Sequence, residues 1–275
     1  MSAPTSDPAA EFDLAALESS GEHGLAGTIF SGKLHFSRIT SSTNNDALAA
    51  ARSGAPHGSV YFADEQSAGR GRGNHDWHSS AGEGLYVSVL LRPQIPAARL
   101  PLLPLVAGLA AAQAIRTAAD LTADIRWPND LLIGPRKVGG ILVEAQSERA
   151  SVAFAVVGIG INVHQRAFAP GLATPATSLD LEAGRCISRQ SLLVALLKSL
   201  EQEALALAAS AAPQVIPARI ESASSWVRGR AVEVHGPQAC IGVTCGLNEN
   251  GFLLVRTNSG VVTVQTGGIR AAQSS

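Results

Sequence analysis

Residues 151 to 163 read SVAFAVVGIGINV, a run without a single charge. A strand with one wet face alternates apolar and polar side chains, and this run does not. It therefore belongs at the centre of a sheet, and the rest of the chain has to cover it. Other strand-like runs are GKLHFSRI (32–39), SVYFADEQ (59–66), GLYVSVLLRP (84–93), DIRWPNDLLI (124–133), split by Pro128, and GGILVEAQ (139–146). SSTNNDALAAARSG supplies N-cap residues and a glycine stop for a helix up to Arg52. Helical spacing predicts a largely buried helix over 100–120 and an amphipathic one over 188–210, capped by Ser188. Strands and helices do not alternate strictly. The reading is α+β: a mixed sheet with helices on one side.

From about residue 227 the texture changes. AVEVHG, CIGVTCGL, FLLVRTN and VVTVQTG are short strands separated by glycine and asparagine turns, which predicts a small all-β barrel. Residues 1–26, rich in Ser, Ala, Gly and Pro, are expected to be flexible, apart from a short helix at EFDLAALE.

The 275 residues are 46% hydrophobic and only 16% charged, enough for a well-filled core. The net charge of −1 lacks the basic excess of a protein that grips nucleic-acid backbones. Cys186, Cys240 and Cys245 do not suggest a disulfide framework. The acidic start lacks the basic and apolar regions of a signal peptide, and no run is read as long enough for a membrane span. A cytoplasmic protein without membrane attachment is expected.

One loop does not fit a core. SAGRGRGNHDWHSS (67–80) carries two arginines, three glycines, two histidines and a tryptophan. It is not a phosphate loop, because the only Gly-Lys pair is followed by Leu34. The dinucleotide fingerprint fails too, with Asn74 where the third glycine belongs. His75 and His78 lack a thiol or carboxylate framework for a metal. What remains is a loop for one anionic ligand: Arg70 and Arg72 as planar donors, Gly69, Gly71 and Gly73 allowing backbone approach, and Trp77 packing on the ligand. A surface loop with incidental arginines would read the same way.

Three further stretches carry chemistry-bearing residues. In RWPNDLLIGPRKVGGILVEAQ, Asp130 and Lys137 stand near strand ends, although Lys137 would equally solvate a turn. GIGIN (158–162) puts two glycines and an amide at the end of the apolar strand, suited to a ligand or to close packing. STN (42–44) offers hydroxyls and N–H groups at a helix start, or merely an ordinary cap.

Together, STN, EQSAGRGR (65–72) with Trp77, GLYVS (84–88), RWPND (126–130), KVGGILVE (137–144) and GIGIN resemble, in order, the catalytic region of the biotin protein ligases. The resemblance covers roughly residues 28 to 270. It implies a class II aminoacyl-tRNA synthetase-like catalytic domain over 27–226 and a small SH3-like C-terminal domain over 227–275. The implied reaction joins biotin and ATP, with Mg²⁺ on the ATP phosphates, into biotinyl-5′-AMP. Biotin then passes to a lysine of a biotin carboxyl carrier protein, as in acetyl-CoA carboxylase.

The implied catalytic residues are Lys137, Arg72 and Asp130. Biotin would be bound by Ser42, Thr43, Asn44, Gln66, Gly69, Arg70, Gly140 and Gly158. The nucleotide would be bound by Arg70, Arg72, Trp77, Asn129, Lys137 and Asn162. The sequence departs from the family's pattern at Asn74–His75, where Gly-Arg is usual, at Arg126 for lysine, at Ser79–Ser80 for Ser-Pro, and at Gly267–Gly268–Ile269, which lacks an acid.

Only about forty residues precede STN, too few for a helix-turn-helix domain, so a monofunctional ligase without DNA binding is expected. Sheet-edge pairing is open to such a fold, giving a monomer or homodimer. The rival readings are a lipoate or octanoate ligase or transferase of the same fold, and a non-catalytic cofactor-binding protein.

Overall fold

The computed structural model describes residues 12–209 and 211–272. Seven strands form one sheet: β1 (Leu34–Thr40), β2 (Ser59–Gln66), β3 (Gly84–Leu91), β4 (Asp124–Arg126), β5 (Asp130–Ile133), β6 (Arg136–Glu148) and β7 (Ser151–Asn162). Their order is β1-β2-β3-β7-β6-β5-β4. Only β1 and β2 run parallel, so the sheet is mixed. The uncharged run is β7, and it lies fourth of seven, as its composition demands.

The helices are α1 (Leu14–Leu17), α2 (Thr43–Arg52), α3 (Leu103–Ala119), α4 (Leu179–Ala183), α5 (Arg189–Ala208) and α6 (Ala212–Ala223). Helix α3 buries Leu105, Val106 and Ile115 in the main core, where α5 joins it through Leu193, Leu196 and Leu200. Ala97–Ala119 reaches the length and apolar composition of a membrane span, contrary to the sequence reading. Those apolar residues serve the core: ten of the residues of α3 are buried against the protein's own sheet and helices.

Helices cover both faces of the sheet, not one. Ala47 and Ala51 of α2 pack with Leu90, Phe154 and Val156 in a second, separate cluster. The adjacent residues Val89, Leu91, Ala155 and Val157 point into the main core. Successive side chains of a strand alternate faces, so α2 lies opposite α3 and α5. Helix α2 is short, and it leaves part of its face open.

The short helix expected at EFDLAALE is present as α1, and the expected flexibility needs correcting over the rest of 12–26; residues 1–11 lie outside the described residues. Asp13 caps α1 through the Ala16 N–H at 3.0 Å. Leu17 and Leu25 are fully buried, and the Phe12 ring stands 5.0 Å from Phe62 and 5.7 Å from Phe36. Three apolar anchors outweigh the loop-like composition.

The C-terminal strands are β8 (Arg228–His235), β9 (Cys240–Leu247), β10 (Leu253–Thr257), β11 (Gly260–Val264) and β12 (Gly268–Ala271). They form one antiparallel sheet in the order β11-β10-β9-β8-β12. Trp127 ties this unit to the first, its buried Nε1–H donating to the Gly251 carbonyl at 3.0 Å. Gly251 has φ +78°, and a Cβ there would stand 2.8 Å from Leu105.

Candidate active site

Along β7 the even positions run Phe154, Val156, Gly158, Gly160, Asn162. The first two lie under α2. Beyond its N-terminus the side chains shrink to nothing, and the sheet becomes a floor. Gly160 pairs with Gly140 on β6 and Tyr86 on β3, and Gly158 pairs with Ser88. A cavity opens above this floor, of about 50 Å³, bounded by the loop after β2 and the start of α2.

The loop enters the cavity through Trp77. A Cβ added at Gly160 would stand 2.6 Å from the indole, and one at Gly140 would stand 3.3 Å from it. The cross-strand glycine pair is thus a slot for a flat ring. The indole Nε1–H is buried there without a partner, which gives a polar ligand a donor to meet. Lys137 Nζ lies 5.4 Å from the same ring.

Asp130 fixes Lys137 from behind, Oδ1 accepting at 2.6 Å. Its other oxygen, Oδ2, accepts from Arg126 Nε at 3.1 Å and Nη2 at 2.6 Å. Burial pushes the Asp130 pKa up, but Lys137 and then Arg126 outweigh it and hold the carboxyl below its ordinary value. At neutral pH the group is a carboxylate between two cations. Arg126, in place of a lysine, uses its fork: Nη2 also donates to Thr174 Oγ1 at 2.9 Å.

A second network lines the other end. Arg70 reaches both oxygens of Glu144, and Asn44 Nδ2 donates to Glu144 Oε2 at 2.9 Å. Ser88 Oγ donates to Asn44 Oδ1 at 2.5 Å and shares a hydrogen bond of 2.8 Å with Thr43. The Thr43 N–H donates to Gln66 Oε1 at 2.9 Å, while Gln66 Nε2 donates to Ser79 Oγ at 2.8 Å. The Tyr86 hydroxyl donates to the Ser80 carbonyl at 3.1 Å, and burial above all pushes its pKa up, so it stays neutral.

Eleven of the fourteen expected site residues line the cavity: Ser42, Thr43, Asn44, Gln66, Arg70, Arg72, Trp77, Asn129, Lys137, Gly140 and Gly158. Gly69, Asp130 and Asn162 do not. Asp130 acts through Lys137. Gly69 permits a close approach, since a Cβ there would stand 2.4 Å from the Trp77 carbonyl. Asn162 is buried, and its Nδ2 donates to the Thr177 carbonyl at 2.9 Å. Asn129 Nδ2 is likewise tied to the Ile141 carbonyl at 2.8 Å. Arg72 reaches the C-terminal sheet, donating to the Gly267 carbonyl and, at 2.8 Å, to Thr266 Oγ1. Neutral oxygens stand there, consistent with the missing acid.

Glu144 and Ser88 escaped assignment from sequence, while Gly160 was noted only as one of the two glycines of GIGIN. Glu144 had one signal, a carboxylate on the apolar run GGILVE. Ser88 had only its place in GLYVS.

Residues 36–162 match the model of the Biotin/lipoate A/B protein ligase family. The Bifunctional ligase/repressor BirA of Bacillus subtilis is 35% identical over 92% of this chain and 78% of its own length. The Biotin--[acetyl-CoA-carboxylase] ligase of Mycobacterium tuberculosis is 34% identical over 84% of this chain and 85% of its own. The structure of the biotin protein ligase from Aquifex aeolicus in complex with biotin and ATP is similar at TM-score 0.73 and 28% identity, covering 88% of this chain and all of that one. The chain belongs to the biotin/lipoate A/B protein ligase family, among its biotin protein ligases.

Proposed function

We propose that the chain activates biotin with ATP to biotinyl-5′-AMP and transfers biotin to a lysine of a biotin carboxyl carrier protein. The observation that carries this reading is Lys137, clamped by Asp130 at 2.6 Å and aimed over the glycine floor beside Trp77. A carboxylate and a triphosphate repel each other, and fixed positive charge brings them together. Lys137 is that charge at the reacting carboxylate and α-phosphate. Arg70 and Arg72 line the same cavity. Arg70, committed to Glu144, shapes the biotin end with Ser42, Thr43, Asn44, Gln66, Gly140 and Gly158. Arg72 serves the phosphate end, where it links the loop to the C-terminal sheet.

Trp77 offers a stacking face for the adenine, and Asn129 and Asn162 position that end of the site through the backbone they hold. The carboxylates beside the cavity, Asp130 and Glu144, are already engaged by cationic side chains. Magnesium would therefore be held by the ATP phosphates, not by side chains. Three free cysteines fit a reducing, cytoplasmic setting, and the balanced charge fits a reading without DNA. Biotin-dependent exchange of labelled pyrophosphate into ATP tests the proposal. Wild-type protein exchanges, and Lys137→Ala loses about 100-fold or more. Exchange supported by lipoate or octanoate and not by biotin would favour the rival substrate.

A further inference from the structure

Outside the cavity, His164, Asp180 and Cys186 bring an imidazole, a carboxylate and a thiol together, with one donor atom of each within 4.8 Å of the others. His164 Nδ1 is 2.8 Å from Asp180 Oδ2. Asp180 Oδ1 accepts the Ile187 N–H at 2.9 Å, which holds the carboxylate against the turn carrying Cys186. Nitrogen, oxygen and sulfur donors are the set that Zn²⁺ takes, with bonds of about 2.0–2.3 Å and ligand atoms therefore about 3.3–3.7 Å apart. The exposed Cys186 side chain need move only on the order of an ångström to meet that spacing. A thiol ligand excludes the hard cations, which prefer oxygen. The three residues share an open groove of about 740 Å³ with Arg166 and Arg185, which leaves a fourth position to water or an anion.

The chain path gives the cluster a purpose. His164 stands just beyond β7, while Asp180 and Cys186 stand beyond the excursion over residues 165–179. That excursion holds the main chain of Lys137: the Lys137 N–H donates to the Pro175 carbonyl at 2.7 Å, and the Thr177 N–H donates to the Lys137 carbonyl at 2.9 Å. An ion bound by both ends closes the excursion at its base and restricts its opening, as a cross-link does. We propose that His164, Asp180 and Cys186 form a site for zinc, or a similarly borderline-soft divalent ion, that clips the segment bracing Lys137. The proposal does not depend on the substrate of the cavity.

The test uses full-length, chelator-treated protein titrated with Zn²⁺ by calorimetry, and with Co²⁺ as a spectroscopic probe. One ion should bind per chain, with a thiolate-to-cobalt charge-transfer band. Cys186→Ser should abolish the band and weaken Zn²⁺ about tenfold or more. Cys186 is exposed, so the variant keeps its fold, and Cys240 and Cys245 remain in place as internal controls. His164→Gln, checked by circular dichroism, should weaken Zn²⁺ likewise. Absence of uptake by the wild-type chain overturns the proposal, as does an unchanged affinity and band in Cys186→Ser.

Discussion

Asp130 splits its two oxygens between two cations, Lys137 on one and Arg126 on the other. Its lowered pKa makes the linkage one of acid loss. The stabilisation is fully present above the ordinary carboxylate range and disappears as pH falls through the lowered folded value. Asp130→Asn should therefore destabilise by about 3 kcal/mol at neutral pH, since it leaves both cations part-buried without their counter-charge. Urea midpoints of variant and parent should converge as pH drops below the carboxylate range; a constant gap would assign the effect to packing. Gly158 poses a different constraint. A Cβ there would stand 2.1 Å from Asn44 Oδ1. Gly158→Ala must displace Asn44 and with it the chain from Ser88 to Glu144 and Arg70. Biotin affinity should fall about tenfold, near 1.4 kcal/mol, by calorimetry; an unchanged affinity would exclude that network from binding. Lys137, Asp130 and the glycines were legible because rare residue types stood at strand ends. For Asn162 the sequence showed an amide near a site but not the Thr177 carbonyl that it holds.

At the scale of elements, β2, β3, β7, α3 and α5 were legible from hydropathy alone, since each buries a continuous stripe. Helix α6 was not recognised. Its sequence APQVIPARIESA holds Pro213 and Pro217, and proline usually signals a break. Pro213 sits in the first turn, where no N–H is needed, and Pro217 falls one turn later, at the cost of a single helical bond. Strand order was unreadable as well, because pairing β3 with β7 joins residues far apart along the chain and leaves no local signal. The N-terminal segment shows how few anchors are required. Phe12 contacts two rings and lies under the Arg189 guanidinium, 5.1 Å away. Phe12→Ala should lower stability by about 3 kcal/mol in urea unfolding. A change within about 0.5 kcal/mol would mean the segment is only loosely held.

Across the whole molecule, the catalytic sheet and the C-terminal sheet are joined by contacts from two segments near the site. Trp127 holds the Gly251 carbonyl, and Arg72 of the loop holds Thr266 and Gly267. The loop is therefore tied to the small sheet as well as to the large one. That connection lay outside the reach of sequence motifs, which mark residues and not the partners they face.

Strand β7 divides two kinds of selection between neighbouring residues. Ala155, Val157, Ile159 and Ile161 belong to the main core, with Ile159 also reaching the cavity, whereas Gly158 and Gly160 line the cavity and Asn162 holds its backing. Substitutions scanned along 157–161 and scored separately for soluble yield and for biotin transfer should alternate. Changes at Val157 and Ile161 should reduce the amount of protein. Changes at Gly158 and Gly160 should leave the amount near normal and silence it. A single strand would then carry two interleaved histories, one written in abundance and the other in turnover.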